Sequence, residues 1–546
     1  MSSATTSATG TGSPRPEPAA GDKPARLIRA LGWAAAAGIG GSLLIMIVVS
    51  AARYSAAVPP MPWPHGFPPL EIAGRLPVRA VYAALWVATV AGGLGVIAGL
   101  AAVARGLRPP ARLLIGAAVV AVVALALLPP AGSTDTLNYA TFGRIAALGH
   151  NPYVMTPKQL SRTGDPLGRL DYLIWRNHGS LYGPLATLEQ WAAAKLGGTS
   201  PALIIFWLKL WNAIIFLGVA LGLDRMLRAD PARRLRGHLL WSVNPLVIWG
   251  LVAAGHLDVI AAAATFFGLS MVRSARRRAG EAGDADDAAG ARPGPSPLVA
   301  LGAGVLVGVG VDFMLTYVLL AAALAWTLLR RPAALTCAAA GFLVVFVPPY
   351  LWAGKPLVDS LELRRGKVSA DNFYQLFNVA YRHHLPSKPD AVVALAVVAF
   401  ALLLLWRLPR AVPDLPAIQP ALAIAIPWLF LWYYQLPWYD TMIIALLALY
   451  PASRLDYVVI VQFMAGTFAL MPGGTPFEPP LGWLRTFSHA TWFYGSPIVL
   501  LAAAVAVFLL CVSGAWNLGP PMAIRPVFGR LTLDRPGLRP LVRSGR

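Results

Sequence analysis

Long unbroken apolar runs dominate this chain, separated by short polar or basic connections. One run, "LLIGAAVVAVVALALLPP", ends at Pro129-Pro130, and several others match the roughly 20 residues a helix needs to cross a bilayer. None shows the two-residue alternation of an outer-membrane barrel, so spanning strands are excluded. The pattern predicts an all-α polytopic membrane protein with about fourteen spans. The first, about Ala30 to Ser50, carries no convincing cleavage site and reads as a retained span rather than a removed signal peptide.

The connections alternate in character. "ARGLRPPAR", "RMLRADPARRLRGH" and Arg330-Arg331 fall on one side, which the positive-inside rule makes cytoplasmic. The other side collects "VPPMPWPHGFPPLE", a large loop over 131–200, a second over 353–390, "YYQLPWYD" and the Pro/Gly- and aromatic-rich stretch near residue 480. This predicts a disordered cytoplasmic N-terminus (1–28), a transmembrane domain (29–515) with a disordered cytoplasmic linker (274–297), and a basic cytoplasmic tail (516–546). Interfacial helices are expected within the external loops.

Composition sharpens this. Of 546 residues, 57% are hydrophobic and 13% charged, about half the charge of a soluble domain. The net charge of +21 sits mostly in the short connections, so it reports membrane orientation and not a nucleic-acid partner. The two cysteines, Cys337 and Cys511, lie inside apolar runs, which argues against a disulfide framework or a thiolate metal site. There is no Gly-rich phosphate loop.

The candidate chemistry begins at "STDTLNYATFGRIAALGHNPY". Asp135 follows the proline pair by five residues, a reach of at most roughly 17 Å, so it stays near the outer membrane surface. An aspartate in the first turn of a helix satisfies its free amides and its dipole, with Ser133 or Thr134 as an alternative cap. A partly desolvated carboxylate beside lipid headgroups also suits a general base. Leu137, Ile145 and Leu148 are expected on the membrane side of this helix, and Arg144 elsewhere, paired with a phosphate, with Asp135 or with water. Tyr182-Gly183-Pro184 turns into a second interfacial helix, on which Glu189 reads as a solvated face residue.

His256 and Asp258, two residues apart, would point about 200° apart on a continuous helix. They converge only if the chain breaks at Gly255; otherwise Asp258 caps the next helix. Asp312 lies in a tight external turn as a cap for the helix after it. Arg364, Arg365 and Lys367 cluster on the external side and suit a lipid phosphate. The aromatics of "WYYQLPWYD" read for the most part as an interfacial belt, with sugar stacking as the alternative.

Taken in order, the early Asp, "GRIAALGHNPY", "YGPL", "NPLVIWGLVAAGHLD" and the late "PWY" resemble the polyprenol-phosphate-mannose-dependent α-mannosyltransferases of actinobacteria, membrane glycosyltransferases of the GT-C class. The resemblance covers roughly residues 30 to 515. It implies a GT-C-like helical bundle in the cell membrane, a lipid-linked mannose donor, transfer on the outer face with inversion, and Asp135 as general base. Tyr182, His256 and Asp258 then join Arg144 and the Arg364, Arg365, Lys367 cluster as donor-binding candidates. Positive charge for the departing phosphate comes from these cations or from a divalent metal ion; no metal ligand is assigned. The acceptor is a mannan or lipoglycan chain, or a small exported product such as a glycopeptide antibiotic. A polytopic transporter or lipid-linked sugar flippase is the alternative class.

Overall fold

The computed structural model describes residues 22–59, 70–170, 175–273, 294–362, 368–369, 372–376, 390–471 and 482–517. Arg364, Arg365 and Lys367 lie outside the described residues, as do most of the expected N-terminal, linker and tail segments.

Helices α1 (Asp22–Ala51) and α2 (Val78–Ala104) are joined by a small parallel pairing of β1 (Ala52–Tyr54) with β2 (Ile72–Arg75). Then follow α3 (Ala111–Leu127), α4 (Asp135–Ala147), α5 (Pro157–Ser161), α6 (Pro184–Gly197), α7 (Pro201–Leu227), α8 (Pro231–Gly237), α9 (Pro245–Ile248) and α10 (Asp258–Met271). The later part holds α11 (Pro297–Phe313), α12 (Val318–Leu328), α13 (Pro332–Glu362), α14 (Asp390–Arg407), α15 (Ile418–Leu431), α16 (Thr441–Leu449), α17 (Arg454–Leu470), α18 (Gly482–Ala490) and α19 (Ser496–Ser513). Polar-Pro dipeptides start several of them. Ser200, Asp230, Asn244 and Ser296 each accept a backbone N–H of the first turn, while the proline that follows fills a position needing no donor.

The protein is an all-α membrane protein. Among the described residues, five helices are long and apolar enough to cross a bilayer: Pro24–Ala51, Val78–Ala104, Pro201–Leu227, Pro332–Glu362 and Gly482–Ser513. Pro231–Ala253 and Asp258–Met271 form a sixth apolar unit bent by 118°. Shorter apolar helices fill the remainder. At the centre sits α16, buried at every position, with α10 and α15 nearly so. A helix apolar all round belongs there, whereas α13 shows much of its apolar surface outward. Close helix contacts use small residues: a Cβ at Gly38 of α1 would fall 2.5 Å from the Ala91 carbonyl of α2.

Two local expectations change. Helix α4 is buried on nearly all sides instead of lying half-exposed; Leu137 and Ile145 are both in the core, and only Leu148 is exposed. The cause is α6, which presses its Gln190 backbone against Gly143, where no side chain keeps the helices apart. Past Ala353, where the second loop is expected to begin, α13 bends at Gly354 (φ +62°) and continues as helix to Glu362.

Candidate active site

Two breaks in helical structure meet at one end of the bundle. The first lies between α3 and α4, where Pro129-Pro130 leaves an extended link to Asp135. Its backbone is held on both sides: Ala131 N–H donates to Ala253 O (3.0 Å) and Gly132 N–H to Ala57 O (3.0 Å). The second is the bend at Gly255. Its φ of +72° is left-handed, and an added Cβ would fall 2.8 Å from Thr136 Oγ1. Thr136 in turn donates to Ala254 O. Each break therefore fixes the other.

The chain does break at Gly255, and the bend carries His256 and Asp258 into the neighbourhood of Asp135. His256 Nδ1 lies 3.6 Å from Asp135 Oδ2. That is ion-pair range and longer than a hydrogen bond. Tyr139, one turn along α4 on the same face as Asp135, brings its hydroxyl to 3.5 Å from the same nitrogen. Asp258 lies close enough to bear electrostatically on Asp135 and on the Tyr139 hydroxyl. Tyr182 sets its ring edge-on to Tyr139 (5.0 Å between centroids) and donates to its hydroxyl at 3.4 Å. Trp438 stacks on the imidazole, 3.8 Å between centroids and 20° from parallel.

His256 and Asp258 are buried and under-bonded among the described residues. Asp135 keeps 18% of its side chain exposed, while His256 and Asp258 are buried. His256 Nε2 has no hydrogen-bond partner among the described residues, and no other residue donates to either Asp258 oxygen. Neither Asp135 nor Asp258 is the residue that caps its helix; each occupies the first helical position, after Thr134 and Leu257. Burial pushes the Tyr139 phenol well above its ordinary range, and Tyr182, Asp135 and Asp258 push the same way. Tyr139 thus remains a proton donor.

A narrow apolar cleft with an open mouth runs up to this cluster. His256 and Trp438 form part of its wall, with Trp249, Phe463, Leu470 and Met471. Sequence reasoning had Trp438 as belt; its signal was adjacency to Pro437 in an aromatic turn, which does not specify a stacking partner. Tyr139 was also missed, although its i+4 spacing from Asp135 was visible.

Other candidates sit elsewhere. Arg144 lies nine residues along α4 from Asp135, about 13 Å at 1.5 Å per residue. There it pairs with Asp165 (2.8 Å) and donates to Gly198 O (3.2 Å), stitching the loop together. Asp312 caps α6 and not the helix after it: its Oδ1 accepts from Leu185 N–H at 2.7 Å, with Gly183 packed directly against it. Glu189 is not a solvated residue; both its oxygens are covered and lack a hydrogen-bond partner among the described residues, though part of the side chain reaches the surface. Among the described residues, no three His, Cys, Asp or Glu side chains gather as a metal site would require.

A helical membrane protein with a carboxylate and an imidazole beside an apolar cleft defines the class. The family model for the alpha-(1->6)-mannopyranosyltransferase N-terminal domain (MptA/B family) matches residues 35–330, just over half of the chain. The chain belongs to this family, and it is a membrane mannosyltransferase. The match spans Asp135, Tyr139, Tyr182, His256 and Asp258, and ends before Trp438. No curated protein matches the chain.

Proposed function

We propose that the protein transfers mannose from a polyprenol-phosphate donor to an acceptor hydroxyl at the outer face of the cell membrane, with inversion, and that Asp135 is the general base. The observation that carries this is the approach of Asp135 to His256 at the end of an apolar cleft. A lipid-borne substrate reaches such a cleft from the bilayer, and its phosphate-linked sugar then comes to the polar end.

In this reading the acceptor hydroxyl gives its proton to Asp135 as its oxygen bonds to the anomeric carbon. The bond from that carbon to the phosphate breaks, and polyprenol phosphate leaves with the electron pair. The sugar passes through an oxocarbenium-like state, as in glycoside hydrolysis. With a proton on Nδ1, His256 orients the Asp135 carboxylate, and the stacked Trp438 holds the ring plane. The long separation at Asp135 suits a contact that tightens when substrate binds. Asp258 and Tyr182 accept from and donate to the sugar hydroxyls.

The phosphate role falls to Arg364, Arg365 and Lys367, or to a divalent cation, with Arg144 committed to Asp165. Ser369, the next described polar residue after the cluster, supports this. It donates its N–H to Tyr433 O (2.9 Å), and its hydroxyl accepts from Gln435 N–H (3.0 Å), in the same segment as Trp438. The GT-C architecture of about fourteen spans is part of the same proposal, the shorter apolar helices completing the count. The acceptor is a mannan or lipoglycan chain or a small exported product.

Membranes containing the protein are incubated with labelled polyprenol-phosphate mannose and candidate acceptors, with and without a chelator. Labelled product lost in Asp135→Asn supports the proposal. Unchanged transfer by that variant at equal expression overturns the base assignment, and donor binding without any transfer favours a transporter.

A further inference from the structure

Helix α7 carries two buried polar side chains one turn apart in its apolar run, Lys209 (1% exposed) and Asn212 (0%). An ionisable group in such a helix is costly and calls for a stated partner. Lys209 Nζ meets three: Leu125 O at 2.7 Å, Leu128 O at 2.6 Å and Pro129 O at 3.1 Å. A lysine head group has three N–H donors, and these carbonyls lie at the end of α3, where helix geometry leaves acceptors unused. Asn212 Nδ2 lies 3.1 Å from His256 O and 3.4 Å from Leu251 O, on the other break. The Lys209 stem also lies against Gly255; a Cβ added there would sit 3.3 Å from Lys209 Cγ.

We infer that Lys209 and Asn212 are positioning residues: α7 is a rigid gauge that sets the separation of Asp135 and His256 by gripping the backbone on both sides of the gap. Lys209 holds the link that leads to Asp135 six residues later, and Asn212 holds His256 itself. Neither side chain touches the reacting atoms. A helix fixes the spacing of its own residues at 1.5 Å per residue, so two breaks bonded to one turn cannot drift apart independently. The inference rests on Asp135 and His256 working as a pair.

The test reads geometry and turnover separately. In a full-length protein with Cys337→Ala and Cys511→Ala, Asp135→Cys and His256→Cys are introduced and joined by a short bifunctional thiol reagent. Adding Lys209→Met or Asn212→Leu is expected to slow cross-linking severalfold. With Asp135 and His256 intact, each change alone should lower kcat about 10- to 100-fold while the donor KM holds and the thermal midpoint stays near that of the parent. Lys209→Arg, which keeps donors at the α3 carbonyls, should recover part of the kcat. Folded variants with parental cross-linking and kcat overturn the inference. So does loss of folded protein in both, which would make these side chains general supports of the bundle. Slowed cross-linking in a protein that shows no mannosyl transfer leaves the gauge standing and removes the proposed reaction instead.

Discussion

The two ends of α7 treat charge in opposite ways. Near Lys209, among the described residues, His256 Nε2 has no hydrogen-bond partner and neither Asp258 oxygen receives a donor from another residue. Fifteen residues on, about 22 Å along the helix, Asp224 takes both guanidinium arms of Arg234 (2.6 and 2.8 Å) and His238 Nε2 (2.9 Å). His238 Nδ1 completes the chain to Ser242 Oγ at 2.9 Å. In the same region Arg236, 3% exposed, grips both oxygens of Asp456 (2.7 and 2.5 Å) and three carbonyls at the end of α16. The buried Arg236–Asp456 pair is held by two charge-assisted hydrogen bonds and three carbonyls. Buried charge left waiting is more costly, and substrate supplies a reason to keep it.

This contrast is broken most directly by paired substitutions. Asp135→Asn should lower transfer about 10²- to 10⁴-fold, the usual share of a general base, with an unchanged thermal midpoint. Arg236→Met should do the reverse. It leaves Asp456 buried and unpaired, at a cost of about 3–5 kcal/mol in stability, while the molecules that remain folded turn over normally. Yield of folded protein in detergent and turnover per folded molecule separate the two. A fall in turnover with Arg236→Met would mean that the two ends are coupled.

Asp258→Asn sharpens the comparison further. With no other residue among the described ones donating to its carboxyl, replacing it by an uncharged amide should raise the thermal midpoint while transfer falls about 100-fold. A variant that loses both stability and activity would place Asp258 with the structural charges.

How much of this was visible beforehand follows from what each signal encodes. Apolar runs report helices, and the basic connections report orientation, because both depend on local composition. The dependence of the His256–Asp258 pair on a break at Gly255 was legible for the same reason: helical spacing forbids their convergence, and glycine is the residue that permits a left-handed turn. The stacking of Trp438 on His256 spans 182 positions of sequence, and no local pattern encodes it. The Arg144 partner, Asp165, was not legible, because it lies in irregular loop structure 21 residues away. The burial of α4 was hidden too, since "DTLNYATFGRIAA" reads as amphipathic until α6 closes over Gly143.

Glu189 offers the smallest effect and a test of whether every under-bonded acid belongs to catalysis. It lies on α6, both oxygens lack a hydrogen-bond partner among the described residues, and burial holds its carboxyl well above the usual range. In the unfolded chain the same group ionises near about 4.3. Below that value both states are protonated, and the residue costs the fold nothing through ionisation. As pH rises, the unfolded state releases its proton first, so stability drains away until the folded carboxyl ionises as well. Glu189→Gln removes that loss. Its thermal midpoint should match the parent near pH 4 and exceed it by about 2–4 °C near pH 8, measured at one scan rate because membrane proteins rarely refold after heating. Transfer should be unchanged, since Glu189 takes no part in the Asp135 cluster. Parallel midpoint curves across the range would show that Glu189 releases its proton at the same pH in the fold as in the unfolded chain. A loss of transfer with normal stability would move it from the scaffold into the site, and the contrast between the two ends of α7 would then need a third category.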